Sequence, residues 1–475
     1  MLRLWIMHAT HVVVAGAGLA GLSAAHELSR AGARVTLIDA REYAGGRVRT
    51  IRDFAAGQHA ELGGEFVEPE HKELLALCSE FGLPLVPVLR RGFTHRFRDE
   101  HGVHHLSRTA PWDALAETLS PLVRRYKSAR GDSAAGAVRD MATLSLSDYL
   151  RQSNAPQKVH AMATALRGFF LADPDEISVL PVVEQIARGG SPAQTEFFRI
   201  EGGNDRLVDA LVRDTPARLL LRHAIRAVAH AVDRVVVSVT DEAGLAREIE
   251  GDYLVMTLPA STLRDVDMRP ALPEPQQHAI RRLSYGRATK ALVQSSSNLF
   301  GSRLARAFAT DGSVGAFWEG TEPLDAARGK PVEVARGKPL DAVRGRPLDA
   351  ARGREQGTDA SIVVFLAGGS ASEPVRDMAA AGGAALLSEL CWLGMSRAPI
   401  TAVHLGDWTA DPWARGGYAF IDPGFDPAWR PLLARRAGRI VFAGEHTSER
   451  WQGYMNGAVE TGQRAARQLL RDLGR

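Results

Sequence analysis

The chain has 475 residues, 45% hydrophobic and 24% charged, with a formal net charge of +3; this is the composition of a soluble globular protein, and the length calls for two sizeable cores rather than one. Only two cysteines are present, Cys78 and Cys391, far apart and without ligand spacing, which argues against a disulfide framework or a zinc centre and for a reducing compartment. Residues 323–354 are four tandem octapeptides, PLDAARGK, PVEVARGK, PLDAVRGR and PLDAARGR, which together carry +4 and leave the rest of the chain at −1. The positive balance is therefore local and no argument for nucleic acid. A proline and a glycine in every unit prevent a long helix, so a solvated loop is expected there. No apolar run approaches the ~20 residues that span a bilayer. MLRLWIMHAT is too short for a signal peptide and the C-terminal GQRAARQLLRDLGR is too charged for a membrane tail, so the cytoplasm is the expected location.

The first element is the apolar run Val12 to Ala15, the pattern of a strand buried on both faces of a parallel sheet. It runs directly into Gly16, Ala17 and Gly18. Gly16, Gly18 and Gly21 fill a GxGxxG pattern, in which the glycines permit the tight turn, the approach of a pyrophosphate and close helix packing. Ala24, Ala25 and Leu28 continue at helical spacing, and a helix N-terminus offers unpaired N–H groups to a phosphate. Gly32 ends that helix before a second strand, Val35 to Ile38. Asp39 closes the strand 18 residues after Gly21, where an acid can accept hydrogen bonds from the ribose of an adenine dinucleotide. Glycine-rich turns also serve packing alone, but here strand, helix, strand and acid fall in register. The motif does not choose between NAD and FAD.

The next residues, AREYAGGRVRT with Gly45, Gly46 and Arg47, resemble the second fingerprint of FAD enzymes of the flavin amine oxidase family, which takes in monoamine, polyamine and L-amino-acid oxidases. The resemblance implies that Arg47 helps neutralise the pyrophosphate, that Arg41 lies near the adenosine, and that Ala20 and Gly46 belong to the same cofactor-binding surface; read alone, Arg47 is a loop arginine. In AELGGEFVE, Gly63 and Gly64 end a short strand. A hairpin turn would explain them, whereas the family passes this backbone, with Glu65, close to the isoalloxazine ring. Glu70 to Phe81 has helical spacing and is closed by Gly82.

Residues 107–190 carry helical runs and no dinucleotide signal, which reads as a helical insertion beginning near 85–90; Phe169 and Phe170 read as its core. At Ile200 the nucleotide unit resumes, with Gly202 and Gly203 before an amphipathic helix, then strands at 219–228, 235–239 and 253–258. The resemblance implies that the segment around Ala224 touches the adenine through its backbone. In LSYGRATKALVQ, Lys290 sits in an apolar strand, where it has to find a partner, lose its charge or reach solvent from a sheet edge. In amine oxidases a lysine here holds a water against flavin N5 and assists reoxidation by oxygen. Strands at 316–319 and 362–366 flank the octapeptides, and a helix over about 374–393 and a strand at 400–405 follow.

GDWTADPWARGGYAFIDPG resembles the family segment that lines the substrate face of the flavin. Some members place a flavin-linked cysteine after this glycine pair; Tyr418 stands there, so FAD is expected to be noncovalent. RIVFAGEHTSERWQGYMNGAVETG resembles the C-terminal signature, in which Gly444, Glu445, Gly453 and Met455 contact the cofactor. The helix after Tyr454 would aim its positive end at the flavin edge that becomes negative on reduction. Tyr454 occupies one aromatic wall of the family's amine cage, Ala419 stands where monoamine oxidases have the other, and Trp408, Tyr418 or Trp451 are the candidates to replace it. Phe66 stands where L-amino-acid oxidases carry a carboxylate-binding arginine, which favours an amine without an α-carboxylate.

The expected architecture is α/β: a Rossmann-like FAD-binding domain (1–85, 200–285 and 400–475) with an interleaved α+β substrate domain (86–199 and 286–399). The expected activity is FAD-dependent amine oxidation, with Lys290, Tyr454, Trp408 and Tyr418 at the reaction centre. The alternatives are a flavin desaturase acting on a nitrogen-free substrate and a non-enzymatic flavin-binding scaffold. The expected partners are a small-molecule amine and O2, without nucleic acid, membrane or metal, and a homodimer is left open.

Overall fold

The computed structural model describes residues 10–89, 92–189, 196–300, 307–321, 360–393 and 398–474. The octapeptides at 323–354, expected to form a solvated loop, lie outside the described residues.

His11–Ala15 is the middle of a five-stranded sheet ordered Ile440–Phe442, Tyr253–Met256, His11–Ala15, Arg34–Ile38, Arg218–Leu220, and each neighbouring pair is parallel. Every residue of the central strand is buried, so its sequence is apolar throughout instead of alternating. Val12 and Val14 pack with Leu22 and Leu28 of the helix Leu19–Arg30 and with Val459 and Leu469 of the helix Met455–Asp472. Val13 and Ala15 face Val228, Val235 and Val237 of a four-stranded sheet on the other side. Each such side chain contributes ~1.5–3 kcal/mol when fully buried. The two covering helices approach through a missing side chain, since a Cβ on Gly462 would stand 2.2 Å from the Ala20 carbonyl oxygen; the first helix meets the turn before it the same way, a Cβ on Gly21 falling 1.8 Å from the Gly16 carbonyl oxygen.

The run 219–228 is two strands. Arg218–Leu220 closes the parallel sheet, and His223–His230 enters the four-stranded one after Arg222 turns the chain at φ 59°.

A seven-stranded sheet follows the order Ile400–Asp407, Ala288–Ser295, Ser361–Gly368, Ala316–Glu319, Ala307–Thr310, Thr94–Arg98, His104–Ser107. The strand Ile400–Asp407, placed by sequence at the start of the nucleotide segment 400–475, is an edge of this second sheet, and its half-exposed residues fit that position. The chain rejoins the nucleotide sheet only at Ile440–Phe442. Ala288–Ser295 lies inside the sheet between Ile400–Asp407 and Ser361–Gly368 and is buried along its whole length, so Lys290 has no sheet edge from which to reach solvent. Ala316–Glu319 pairs antiparallel with Ser361–Gly368, Glu319 opposite Val363, as the two arms flanking the octapeptides.

Between Ala110 and Ala187 the chain is helical, with a core of Trp112, Leu115 and Leu119 against Val179, Val182 and Val183. The expected helix over 374–393 is broken into Ser372–Ala380 and Ala384–Ser388, because Gly382 and Gly383 take φ of 95° and 75°. Among the described residues no helix is long and apolar enough to cross a membrane, and no group of three or more His, Cys, Asp or Glu side chains could hold a metal ion.

Candidate active site

One cavity of about 1420 Å³ runs between the two sheets and the helical insertion, and it is lined by all the sequence-derived site residues except Gly21 and Ala224. Gly21 is where the helix leans on Gly16, the packing role expected of a third glycine. Ala224 is buried in its strand, and the wall there is made by His223, Ile225 and Arg226. The adenine contact expected here is a backbone one made by the segment around Ala224, and three residues of that segment line the cavity.

The dinucleotide end is a glycine cradle. Gly16 takes φ 104° and Gly46 φ 61°, and a Cβ on Gly46 would come within 3.3 Å of the Gly18 Cα. Gly18 caps the helix Leu19–Arg30 without a side-chain hydrogen bond of its own, so the cradle floor is backbone and a helix N-terminus, which favours a phosphate. Asp39 stands at the strand end. Its Oδ2 accepts from the Ala17 N–H at 2.8 Å and its Oδ1 from the Arg41 N–H at 2.9 Å, while burial pushes its pKa up. Arg41 makes a two-pronged contact with Asp411, 2.7 Å on each side, so its fork is held by protein.

Farther along, Arg47 donates to the Gly417 carbonyl at 2.6 Å and to Glu445 Oε1 at 3.0 Å. The other Glu445 oxygen accepts from the Gly453 N–H at 2.7 Å. Glu445, at the end of the last strand, thus joins the arginine loop to the turn before the final helix. His446 beside it is buried, with its pKa lowered to about 4 by desolvation, and so brings no positive charge near neutral pH.

Lys290 lies on the seven-stranded sheet, against the loop that carries Gly63 and Glu65. Its Nζ donates to the Gly63 carbonyl at 3.0 Å and to Glu65 Oε2 at 2.7 Å, and it stands 5.2 Å from the centre of the Trp318 ring. Glu65 Oε1 accepts from Trp318 Nε1 at 3.0 Å and lies 3.6 Å from Arg199. Glu65, expected beside the cofactor, does line the cavity, but its carboxylate is turned to Lys290. Gly64 lies against Met455: an added Cβ would be 3.0 Å from the Met455 side chain. Gly63 is tighter still, with room for a Cβ only 2.0 Å from the Arg47 carbonyl oxygen.

The aromatic candidates separate by position. Gly453, at φ 86°, lies against Tyr418, whose ring would be 3.2 Å from a Cβ there. The Tyr418 hydroxyl donates to the Phe169 carbonyl. Tyr454 meets Trp451 edge-on at 5.7 Å and His71 at 5.2 Å. Trp408 is buried, with its Nε1 donating to the Leu62 carbonyl at 3.1 Å, and packs with Leu171, Ala288 and Ala414. Tyr418 is therefore the residue placed beside the Gly453–Tyr454 turn, whereas Trp451 braces Tyr454 and Trp408 supports the floor. Burial raises the pKa of both tyrosines, so both stay neutral phenols.

Among the aromatic wall residues, Phe197 and Trp318 are not indicated by the sequence. Phe66 packs against Phe197 at 4.8 Å and Trp318 at 5.0 Å, and all three line the cavity with Phe169 and Phe170, which had been assigned to the core. Sheet register, which the sequence does not show, brings Trp318 to the Lys290 face. Lys290 pairs with Leu366 and Leu366 with Ala316, and Trp318, two residues on, shares their face of the sheet.

The residues fit FAD: a cradle that side chains would fill, an acid at the strand end, and a cavity continuous to Lys290. Neither cysteine lines that cavity, and Tyr418 holds the position of the linking cysteine, so FAD is held noncovalently. Nicotine dehydrogenase of Pseudomonas putida (strain DSM 28022 / S16) is 26% identical over 481 residues, 96% of this chain and 88% of that protein. Flavin-containing amine oxidase B of Cavia porcellus is 24% identical over 499 residues, 98% and 86% of the two chains. Cyclohexylamine oxidase from Brevibacterium oxydans IH-35A shares the fold with a TM-score of 0.77 at 21% identity, over 98% of this chain and 100% of that one. The family model for flavin containing amine oxidoreductases matches residues 19–470, and the chain belongs to that family.

Proposed function

We propose that the protein is an FAD-dependent amine oxidase, converting an amine to an imine that water hydrolyses to an aldehyde or ketone, with O2 reduced to H2O2. The observation that carries this reading is the single cavity uniting the dinucleotide cradle with Lys290, Tyr418 and Tyr454. Bound FAD supplies the hydride acceptor and the route for electrons to O2. The chain's own residues prepare the amine. The neutral phenols of Tyr418 and Tyr454, with Phe66, Phe169, Phe170, Phe197 and Trp318, make a wall that excludes water and disfavours an ammonium ion. The neutral amine is the form that can surrender hydride. Phe66 belongs to that wall, and Lys290 and Arg199 are both held by Glu65, so an amine without an α-carboxylate is the favoured substrate. A cytoplasmic location, with small-molecule partners only, accompanies this reading.

The test is anaerobic addition of primary amines, polyamines and amino acids to the yellow holoenzyme. Bleaching of the flavin by an amine, followed by peroxide on admitting air, is the expected result, and no bleaching by any compound sinks the reading. The relationship to a nicotine dehydrogenase gives a second reading, with an acceptor other than O2. Bleaching that air reverses only slowly would select it.

A further inference from the structure

Lys290 is 3% exposed, on an interior strand, and has one carboxylate partner. An ammonium group there is costly unless it is paired and hydrogen-bonded. Glu65 is as deeply buried, and both of its oxygens are assigned: Oε1 to the Trp318 indole N–H, with Arg199 at 3.6 Å, and Oε2 to Lys290 at 2.7 Å. Arg199 is itself fixed, its Nη1 donating to the Gly320 carbonyl at 2.9 Å. The anchors Arg199, Lys290 and Trp318 come from three separate parts of the chain, so Glu65 cannot swing without breaking several contacts at once.

A lysine ammonium has three N–H donors. Gly63 and Glu65 take two of them, which leaves one for the cavity that Lys290 lines. We propose that Glu65 is the positioning residue for Lys290: clamped by Trp318 and Arg199 on one oxygen, it holds the ammonium with the other and so keeps it charged and aims its remaining N–H into the cavity. Glu65 acts through Lys290 and not on the substrate. The groups that face the pair are Arg199, the Trp318 ring and the Gly63 carbonyl, with Glu61 behind them feeling both Glu65 and Arg199.

The proposal rests on the amine oxidase reading for its kinetic arm alone. In stopped-flow reoxidation of the reduced holoenzyme, Glu65→Gln should slow the reaction with O2 by about ten- to a hundredfold, the worth of a charge-assisted hydrogen bond. Glu65→Asp should restore part of the loss. In a Lys290→Met background, Glu65→Gln should add nothing further, since the two residues act as one unit. The second arm is acetic anhydride labelling of Lys290 in the full-length holoprotein, read by mass spectrometry against pH. The wild-type lysine should stay unreactive, whereas in Glu65→Gln the lysine, buried and without its carboxylate partner, should become labelled. Trp318→Phe, which removes one clamp and keeps the bulk, should give an intermediate profile and serves if Glu65→Gln does not fold. Multiplying effects in the double variant, or a labelling profile unchanged in both Glu65→Gln and Trp318→Phe, would overturn the assignment. Labelling tests the pair even if no amine reduces the flavin, so failure of the function and failure of the pair are separable.

Discussion

Single atoms decide the cofactor site. Gly46 combines a left-handed backbone with a 3.3 Å clearance to Gly18. An alanine there costs ~1–2 kcal/mol in backbone alone, so Gly46→Ala should weaken FAD binding about tenfold or more, measured by flavin fluorescence during titration of FAD-free protein. For Lys290, Lys290→Met should slow reoxidation far more than anaerobic reduction, since the wall that prepares the amine is left intact; equal slowing of both half-reactions would remove the lysine from the oxygen step. Lys290 is legible in the sequence because its stretch resembles an amine oxidase segment; the apolar pattern alone also allows an edge-strand lysine reaching solvent. Its partner is not legible: Glu65 and Lys290 stand 225 residues apart, and nothing local to either names the other.

At the scale of elements, the runs with one strong period were readable. His11–Ala15, Leu19–Arg30, Lys72–Glu80 and Met455–Asp472 fall where apolar spacing and glycine stops put them. The strand Ile400–Asp407 was also seen, but its pairing with Ala288–Ser295 was not, because pairing partners are not written in a strand's own residues. Two experiments belong here. Gly462→Val should separate the first and last helices, since even a Cβ would stand 2.2 Å from Ala20; a lowered melting temperature with loss of bound FAD is expected. Deletion of residues 323–354 should leave both flavin content and melting temperature near wild type, because Ala316–Glu319 and Ser361–Gly368 already pair in register and a shorter connection costs less closure entropy. A large drop in either would give the octapeptides a part in the fold.

For the molecule as a whole, stability should depend on pH through its buried acids and histidines. Glu61 is fully buried, and its pKa is raised from 4.5 to about 7, by desolvation first and partly by the Glu65 charge. A raised carboxyl pKa means that the folded state holds the proton more tightly. Its stabilising contribution is complete below 4.5 and is lost as the pH rises through about 7. His71, His95 and His446 work the other way, with pKa lowered to about 4 by burial, so they favour the folded state as pH rises from about 4 to 6.5. Glu61→Gln should accordingly match wild type near pH 4.5 and exceed it above pH 7, by ~3 kcal/mol in urea unfolding. A gap that does not change with pH would show that Glu61 is ionised in both states.

The central strand His11–Ala15 has one neighbour close by in the chain and the other at Tyr253–Met256, and that strand in turn waits for Ile440–Phe442. During synthesis, then, the first thing made is among the last to be completed. A ribosome has to deliver nearly the entire polypeptide before the glycine turn acquires its roof, and the half-built sheet is exposed to misassociation throughout that interval. Truncation before the final helix should leave an insoluble product, whereas vitamin-replete growth, by supplying FAD to trap the finished form, should raise the soluble yield of the intact chain.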